Sequence, residues 1–326
     1  MDNMHGGADG HAGHEGHGHG GSWAGHMLPA AFFTIWGLWW AVHAGIRVAA
    51  AGARRSAYVP LAWYPLRVPG FGSKLVLLEP LLKVGLPGIG IFCELYFHPP
   101  RPKFNALHNP DGTFNASHLS FWQHSSMYSF FLLSGCVDLF AARSLPPRAP
   151  LLALAAAFLA EALLFAGHLQ GGAPVTDGLH LLLVFSILGC AASIAAEAMW
   201  ASPHAALARA YFTLLQGSWF AQTSHALYGK PSWPQDMTTQ MALPVLFCLH
   251  LLGWAVLLLC ANAMYVKNCH PKLWDDGGMH EEADDPVAAL LASRLGHQTV
   301  PSGGVRHKLR VSDGAETSRV HHEGEA

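Results

Sequence analysis

The stretch Glu161–His180 reads E-A-L-L-F-A-G-H-L-Q-G-G-A-P-V-T-D-G-L-H, and how it is read decides the fold. One apolar run leads into it and another leads out. Glu161 and His168 are seven residues apart, about two helical turns, so they share one helix face. Gly171, Gly172 and Pro174 then break the helix. Asp177 and His180 are three residues apart and share a face on the first turn of the next helix. The stretch is therefore the turn of a helical hairpin at a membrane edge. Ionisable residues there are candidate functional positions, because hydrocarbon penalises charge.

Composition agrees with this outward from the hairpin. The 326 residues are 51% hydrophobic and 12% charged, with mean hydropathy +0.25. Soluble domains carry about 25% charged residues. The expected class is an all-α polytopic membrane protein. A formal net charge of −2 and the lack of a basic, aromatic-interleaved patch argue against a nucleic-acid partner. The six cysteines form no C-x-x-C pair. Cys93, Cys136, Cys190, Cys248 and Cys260 lie in apolar runs and read as small core residues. Cys269 reads as a free juxtamembrane thiol, and no disulfide framework is expected.

Seven apolar segments follow one another as a transmembrane bundle over residues 26–268. They run from Met27 to Ala51, Leu75 to Phe97, Leu119 to Ala142, Leu151 to His168, Asp177 to Trp200, His204 to Leu227 and Thr239 to Tyr265. Pro80 and Pro87 are expected to kink the second. Residues 1–25, with His5, His11, His14, His17 and His19, are too polar and Gly-rich to pack and read as a disordered tail. Residues 269–326 read as a second disordered tail. Basic residues collect on one side: Arg47, Arg54, Arg55, Arg67, Lys74, Arg143, Arg148, Arg209, Lys267 and Lys272, against Arg101, Lys103 and Lys230 on the other. That asymmetry places the C-terminus in the cytoplasm and the N-terminus in the lumen or exterior.

This topology sorts the polar residues by depth. Glu94, Gln123, His124, Glu161, His168, Asp177, His180, Gln222 and His225 fall in the lumenal half, and Gln216 and His250 near the middle. Glu197 and His43 sit near cytoplasmic ends, where a snorkelling reading suffices. Asp138 is expected to meet water or Arg143.

These motifs resemble the transmembrane protein 45 family, also catalogued as a domain of unknown function. The matching pieces are W-Q-H-S-S-M-Y (Trp122–Tyr128), S-G-C-V-D (Ser134–Asp138), E-A-L-L-F-A-G-H (Glu161–His168), H-L-L-L (His180–Leu183), L-Q-G-S-W-F (Leu215–Phe220) and His250. They span roughly residues 25–265 in order. The family pattern has a second histidine just after the position of His168, where this chain has Leu169. The resemblance implies a seven-span membrane protein and carries no established activity.

Imidazoles with carboxylates form a ligand set for zinc, with one coordination position left to water in an open site. His124, His168, His180 and His250 are the candidate nitrogen ligands. Glu94, Glu161 and Asp177 are candidates to ligate, to orient a histidine or to act as general base. One ligand per helix is normal for sites built in bundle cores. The zinc reading leads to hydrolase-like chemistry on a lipid or amide approached from the lumenal side, with Ser125 and Ser126 beside His124. Two alternatives stand next to it. The first is a non-enzymatic trafficking or transport protein whose polar residues form a structural hydrogen-bond network. The second is a haem-binding electron carrier, which needs two facing histidines and an apolar slot.

Overall fold

A computed structural model describes residues 23–54, 57–66, 75–96, 104–167, 169 and 172–275. Its long helices are α1 (Trp23–Arg54), α2 (Leu78–Tyr96), α3 (Leu119–Ser144), α4 (Ala149–Gly167), α5 (Pro174–Trp200), α6 (Pro203–Tyr228) and α7 (Met237–Cys269). A short helix, α8 (Pro271–Asp275), follows. Among the described residues there is no strand, only an isolated antiparallel bridge between His108 and Phe114.

The helix ends follow local chemistry. Pro174 opens α5 and Pro203 opens α6, positions where the missing N–H costs nothing. Ser202 caps α6 by accepting from the Ala205 N–H, and Asp236 caps α7 by accepting from the Thr239 N–H at 2.7 Å. Between α5 and α6 the chain reverses through Ala201, whose φ of 50° is left-handed. Pro80 lies in the first turn of α2, where proline is tolerated, so of the two prolines expected to kink this helix only Pro87 lies inside it.

Among the described residues, four helical stretches are long and apolar enough to cross a membrane: Gly25–Gly52, Ala149–Gly167, Pro174–Trp200 and Met237–Cys269. α1 has 32 residues and α7 has 33, each about 50 Å long at 1.5 Å per residue, more than a hydrocarbon core of about 30 Å requires. α2, α3 and α6 are more polar, and their polar residues build the interior described below. Along the outer face of α7, Met241, Val245, Leu249, Leu252, Val256 and Leu259 are exposed. A continuous apolar exterior of this kind suits lipid rather than water.

α1 packs mainly on α6, α2 on α3, α3 on α4, α4 on α5 and α5 on α6, while α7 rests on α5 and α6. The centre is filled by Phe158, Leu179, Leu183, Ile187, Leu214, Leu215 and Trp219. The α1–α6 seam depends on Gly217. A Cβ there would stand 2.7 Å from the Thr34 nitrogen and 3.1 Å from the Ala30 oxygen, so only glycine lets the two backbones meet.

Helical structure runs from Trp23 and continues through Cys269 and α8; residues 1–22 and 276–326, which hold most of both expected tails, lie outside the described residues. One expectation changes. Of the apolar-run cysteines only Cys190 is buried; Cys93, Cys248 and Cys260 face outward and Cys136 is half-buried.

Candidate functional site

The densest polar cluster lies at the end of the bundle where α1, α3 and α5 finish and α2 and α6 begin. Its first part is a carboxylate ringed by indoles. Trp36, Trp39 and Trp40 stand at i, i+3 and i+4, so one face of α1 presents all three. Glu79, in the first turn of α2, meets them there. Its Oε1 accepts from the indole nitrogens of Trp36 at 3.2 Å and Trp40 at 2.8 Å. Its Oε2 accepts from the Trp39 indole at 2.8 Å and the Tyr64 backbone N–H at 2.8 Å. Four donors match the roughly four acceptor directions of a carboxylate.

The second part is built around Arg209, which is wholly buried. Its guanidinium donates to the Leu61 carbonyl at 3.0 Å, the Ala62 carbonyl at 3.3 Å and the Tyr64 hydroxyl at 3.0 Å. It also lies 4.6 Å from the centre of a Trp40 ring, a cation–π distance. The Arg209 Nε is 3.3 Å from Glu197 Oε2, and the Tyr58 hydroxyl donates to Glu197 Oε1 at 2.9 Å. Burial pushes the Tyr58 and Tyr64 phenols up from their ordinary values, so both stay protonated. His43 completes this layer, stacked on Tyr64 and bonded to the Trp39 carbonyl at 3.0 Å.

The third part is the buried ion pair of Lys83 with Asp138. Gly135 makes it reachable. A Cβ at that position would come within 2.8 Å of the Lys83 carbonyl carbon, so α2 and α3 touch backbone to backbone there.

Three expectations are corrected here. Asp138 is 2% exposed and meets Lys83 rather than water or Arg143. Glu197 does not snorkel; it is 0% exposed and paired. Arg209, counted with the loop charges, is an interior residue. For Glu197 and Arg209 the reason is the segment 57–66, which folds over those helix ends with Tyr64 1% exposed and Ala62 4% exposed; for Asp138 it is the close approach of α2 to α3 at Gly135, which brings Lys83 to it.

Of the residues singled out from the sequence, Glu94 meets His124 and Glu161 meets Gln216, and the other described ones have different partners. Glu94 and His124 join α2 to α3, with His124 Nδ1 3.0 Å from Glu94 Oε1, and both are partly open at the opposite end of the bundle. Ser125 Oγ, next to His124, is buried without a hydrogen-bond partner. Glu161 is fully buried between α4 and α6, its Oε1 accepting from Gln216 Nε2 at 2.9 Å. His250 Nδ1 is 2.9 Å from Ser218 Oγ and packs edge-on to Trp219. His180 Nδ1 is 2.8 Å from the Thr176 carbonyl, and its ring lies 5.8 Å from that of His26, which the sequence reading did not select. Asp177 sits in the first turn of α5, tight against Gly172. His168 lies outside the described residues. Among the described residues no three His, Cys, Asp or Glu side chains gather closely enough to hold a metal ion.

Glu79 and Lys83 are the functional candidates that sequence reasoning missed. The W-x-x-W-W spacing at Trp36, Trp39 and Trp40 was the available signal: three indole N–H groups on one intramembrane face require an acceptor.

Comparison with known proteins adds the following. Residues 148–266 match the model of a family described as a family of unknown function, DUF716. The chain is 29% identical over 147 residues to the human protein Transmembrane epididymal protein 1, covering 42% of this chain and 54% of that protein. It is 28% identical over 147 residues to mouse Transmembrane epididymal protein 1A, covering 42% of this chain and 48% of that protein. The chain thus spans about half the length of the curated relatives it matches. Those similarities and the apolar helices make it an integral, multi-pass membrane protein. The family match covers α4 to α7, with Glu161, His180, Glu197, Arg209, Gln216 and His250. Glu79, Lys83, Glu94, His124 and Asp138 fall before it.

Proposed function

We propose that this chain is a seven-span membrane protein of transport or trafficking type that carries out no covalent chemistry. Its intramembrane polar groups act as pairwise clamps between helices. The observation that supports this reading is the distribution of partners. Glu79 is satisfied by α1 and Tyr64, Lys83 by Asp138, Glu197 by Arg209, and His250 by Ser218. Each pair bridges a different set of elements. A catalytic constellation would instead aim several groups at one reacting atom. With Arg209 moved to the interior, the loop cations still favour a cytoplasmic C-terminus and a lumenal or extracellular N-terminus.

A second reading keeps a zinc site on the lumenal side with hydrolase-like chemistry on a lipid. The Glu94–His124 pair favours it, since a carboxylate bonded to one imidazole nitrogen orients the other for a metal. It requires His168 or His180 to reach His124. The two readings part in one assay. The full chain is reconstituted in vesicles holding amide- and ester-linked lipids, and acyl release is followed with and without chelator. The clamp reading expects no release above empty vesicles. Chelator-sensitive release that disappears in His124→Ala would overturn it.

A further inference from the structure

Glu161 stands apart from the clamps. It is 0% exposed in the second half of α4, and among the described residues Gln216 supplies its one hydrogen bond. Its second oxygen, Oε2, is buried without a hydrogen-bond partner. The buried cations of the bundle are engaged elsewhere, Lys83 with Asp138 and Arg209 with Glu197. An anion here would lose its hydration with only one amide N–H in return, and low-dielectric surroundings penalise that arrangement heavily. A neutral acid at the same place leaves only an O–H to be satisfied, a far smaller penalty.

The surroundings form a line rather than an isolated spot. On α6, Arg209, Thr213, Gln216 and Thr223 are all fully buried. The spacing of the first three, four and then three residues, puts them on one face, a polar stripe about 10 Å long at 1.5 Å per residue. Cys190 of α5 closes the gap, with Sγ 3.6 Å from Thr213 Oγ1 and 3.5 Å from Gln216 Oε1. On the other side, Tyr128 of α3 lies within electrostatic reach of both Glu161 and Glu94. It follows His124 by one helical turn. Among the described residues, the titratable groups facing Glu161 are therefore Tyr128 from α3 and Cys190 from α5, while α6 brings Gln216, with Arg209 two turns further along the same face. Polar groups thus continue in both directions, toward the half-open Glu94–His124 pair at one end and the Arg209–Glu197 pair at the other.

We propose that Glu161 is an exchangeable proton-binding site at the centre of the bundle, with the proton carried on Oε2 while Oε1 stays bonded to Gln216. The step balances simply: an O–H bond breaks in a hydronium or water donor, one forms at Oε2, and the carboxylate becomes the neutral acid. Release reverses it. The inference rests on the transport reading for its use, as the site of a coupling ion, but not for its existence.

The test is infrared spectroscopy of the full chain in lipid at neutral pH, in H2O and in D2O. The expected result is a carboxylic-acid C=O band that shifts in D2O and disappears in Glu161→Gln. Glu161→Asp keeps the acid and should move the band, and it serves if the glutamine variant fails to fold. Gln216→Leu should shift the band upward, because it removes the hydrogen bond to the carbonyl oxygen. If no acid band depends on Glu161, the proposal is overturned. A Glu161 band that never shifts in D2O also overturns it, since a sealed proton cannot couple to anything. Chelator-sensitive lipid hydrolysis would remove the transport reading and leave these bands unchanged, so the two failures are distinguishable.

Discussion

Lys83→Met isolates one clamp. The substitution keeps the length of the side chain and removes its charge. Asp138, 2% exposed, then has no cation, and its Oδ1 already lacks a partner. Leaving one member of a buried ion pair uncompensated costs about 3–5 kcal/mol. At about 1.4 kcal/mol per factor of ten, that is roughly a hundred- to several-thousand-fold in the folding equilibrium. Asp138→Leu alone strands Lys83 and should cost a similar amount. The double variant Lys83→Met/Asp138→Leu removes both charges and should recover most of the loss, because replacing a buried pair by apolar residues is often neutral or stabilising. The assay is unfolding free energy in mixed micelles titrated with denaturing detergent, for the parent, both single variants and the double. The result that would refute the reasoning is a loss below about 1 kcal/mol in each single variant, which is how an exposed surface pair behaves. Strict additivity in the double variant would refute it equally, since independent sites do not couple.

Three further outcomes follow from the same geometry. Glu79→Gln replaces an acceptor-only group with one that presents its own N–H2 to the indoles, and should cost about 1–3 kcal/mol in the same titration through unpaired buried donors. Gly217→Val should separate α1 from α6 and reduce the monodisperse fraction in size-exclusion chromatography, whereas Gly253→Val, where a Cβ meets nothing within 4 Å, should not. The Thr239 backbone N–H, and with it the Thr239 side chain, holds the Asp236 carboxyl below its ordinary value, so the α7 cap is fully present above the unfolded value of about 3.9 and is lost as pH falls through the lower folded value. Amide exchange in the first turn of α7 should therefore quicken only in acid, and Asp236→Ala should show the fast exchange at every pH.

The helices were readable because their signals are local. Apolar runs bounded by Gly171, Gly172, Pro174, Ser202 and Pro203 place α4, α5 and α6 within a few residues of their observed ends. Depth was partly readable too: Glu94 and His124 do share one end of the bundle and one contact. Direction around the helix axis was not. His124, His168 and His180 were expected to converge; His124 meets Glu94, His180 lies beside His26, and His168 is outside the described residues. The buried charges were misplaced for a different reason. Asp138, Glu197 and Arg209 lie near helix ends in the sequence, where water is the natural partner. Around Glu197 and Arg209 the segment 57–66 substitutes its own carbonyls and hydroxyls for water, through Leu61, Ala62, Tyr58 and Tyr64, while Asp138 meets Lys83 across the α2–α3 seam. Nothing local in Tyr58–Leu66 announces that long-range packing.

Metal content bears most directly on whether the intramembrane polar groups are clamps or ligands. The protein to measure is the full chain with His5, His11, His14, His17 and His19 replaced by alanine, since those tail histidines would bind metal adventitiously. It is purified in detergent without chelator, dialysed against zinc and analysed by elemental mass spectrometry. The clamp account predicts bound zinc far below one per chain, unchanged by His124→Ala or His180→Ala. One zinc per chain, lost in either variant, would contradict it.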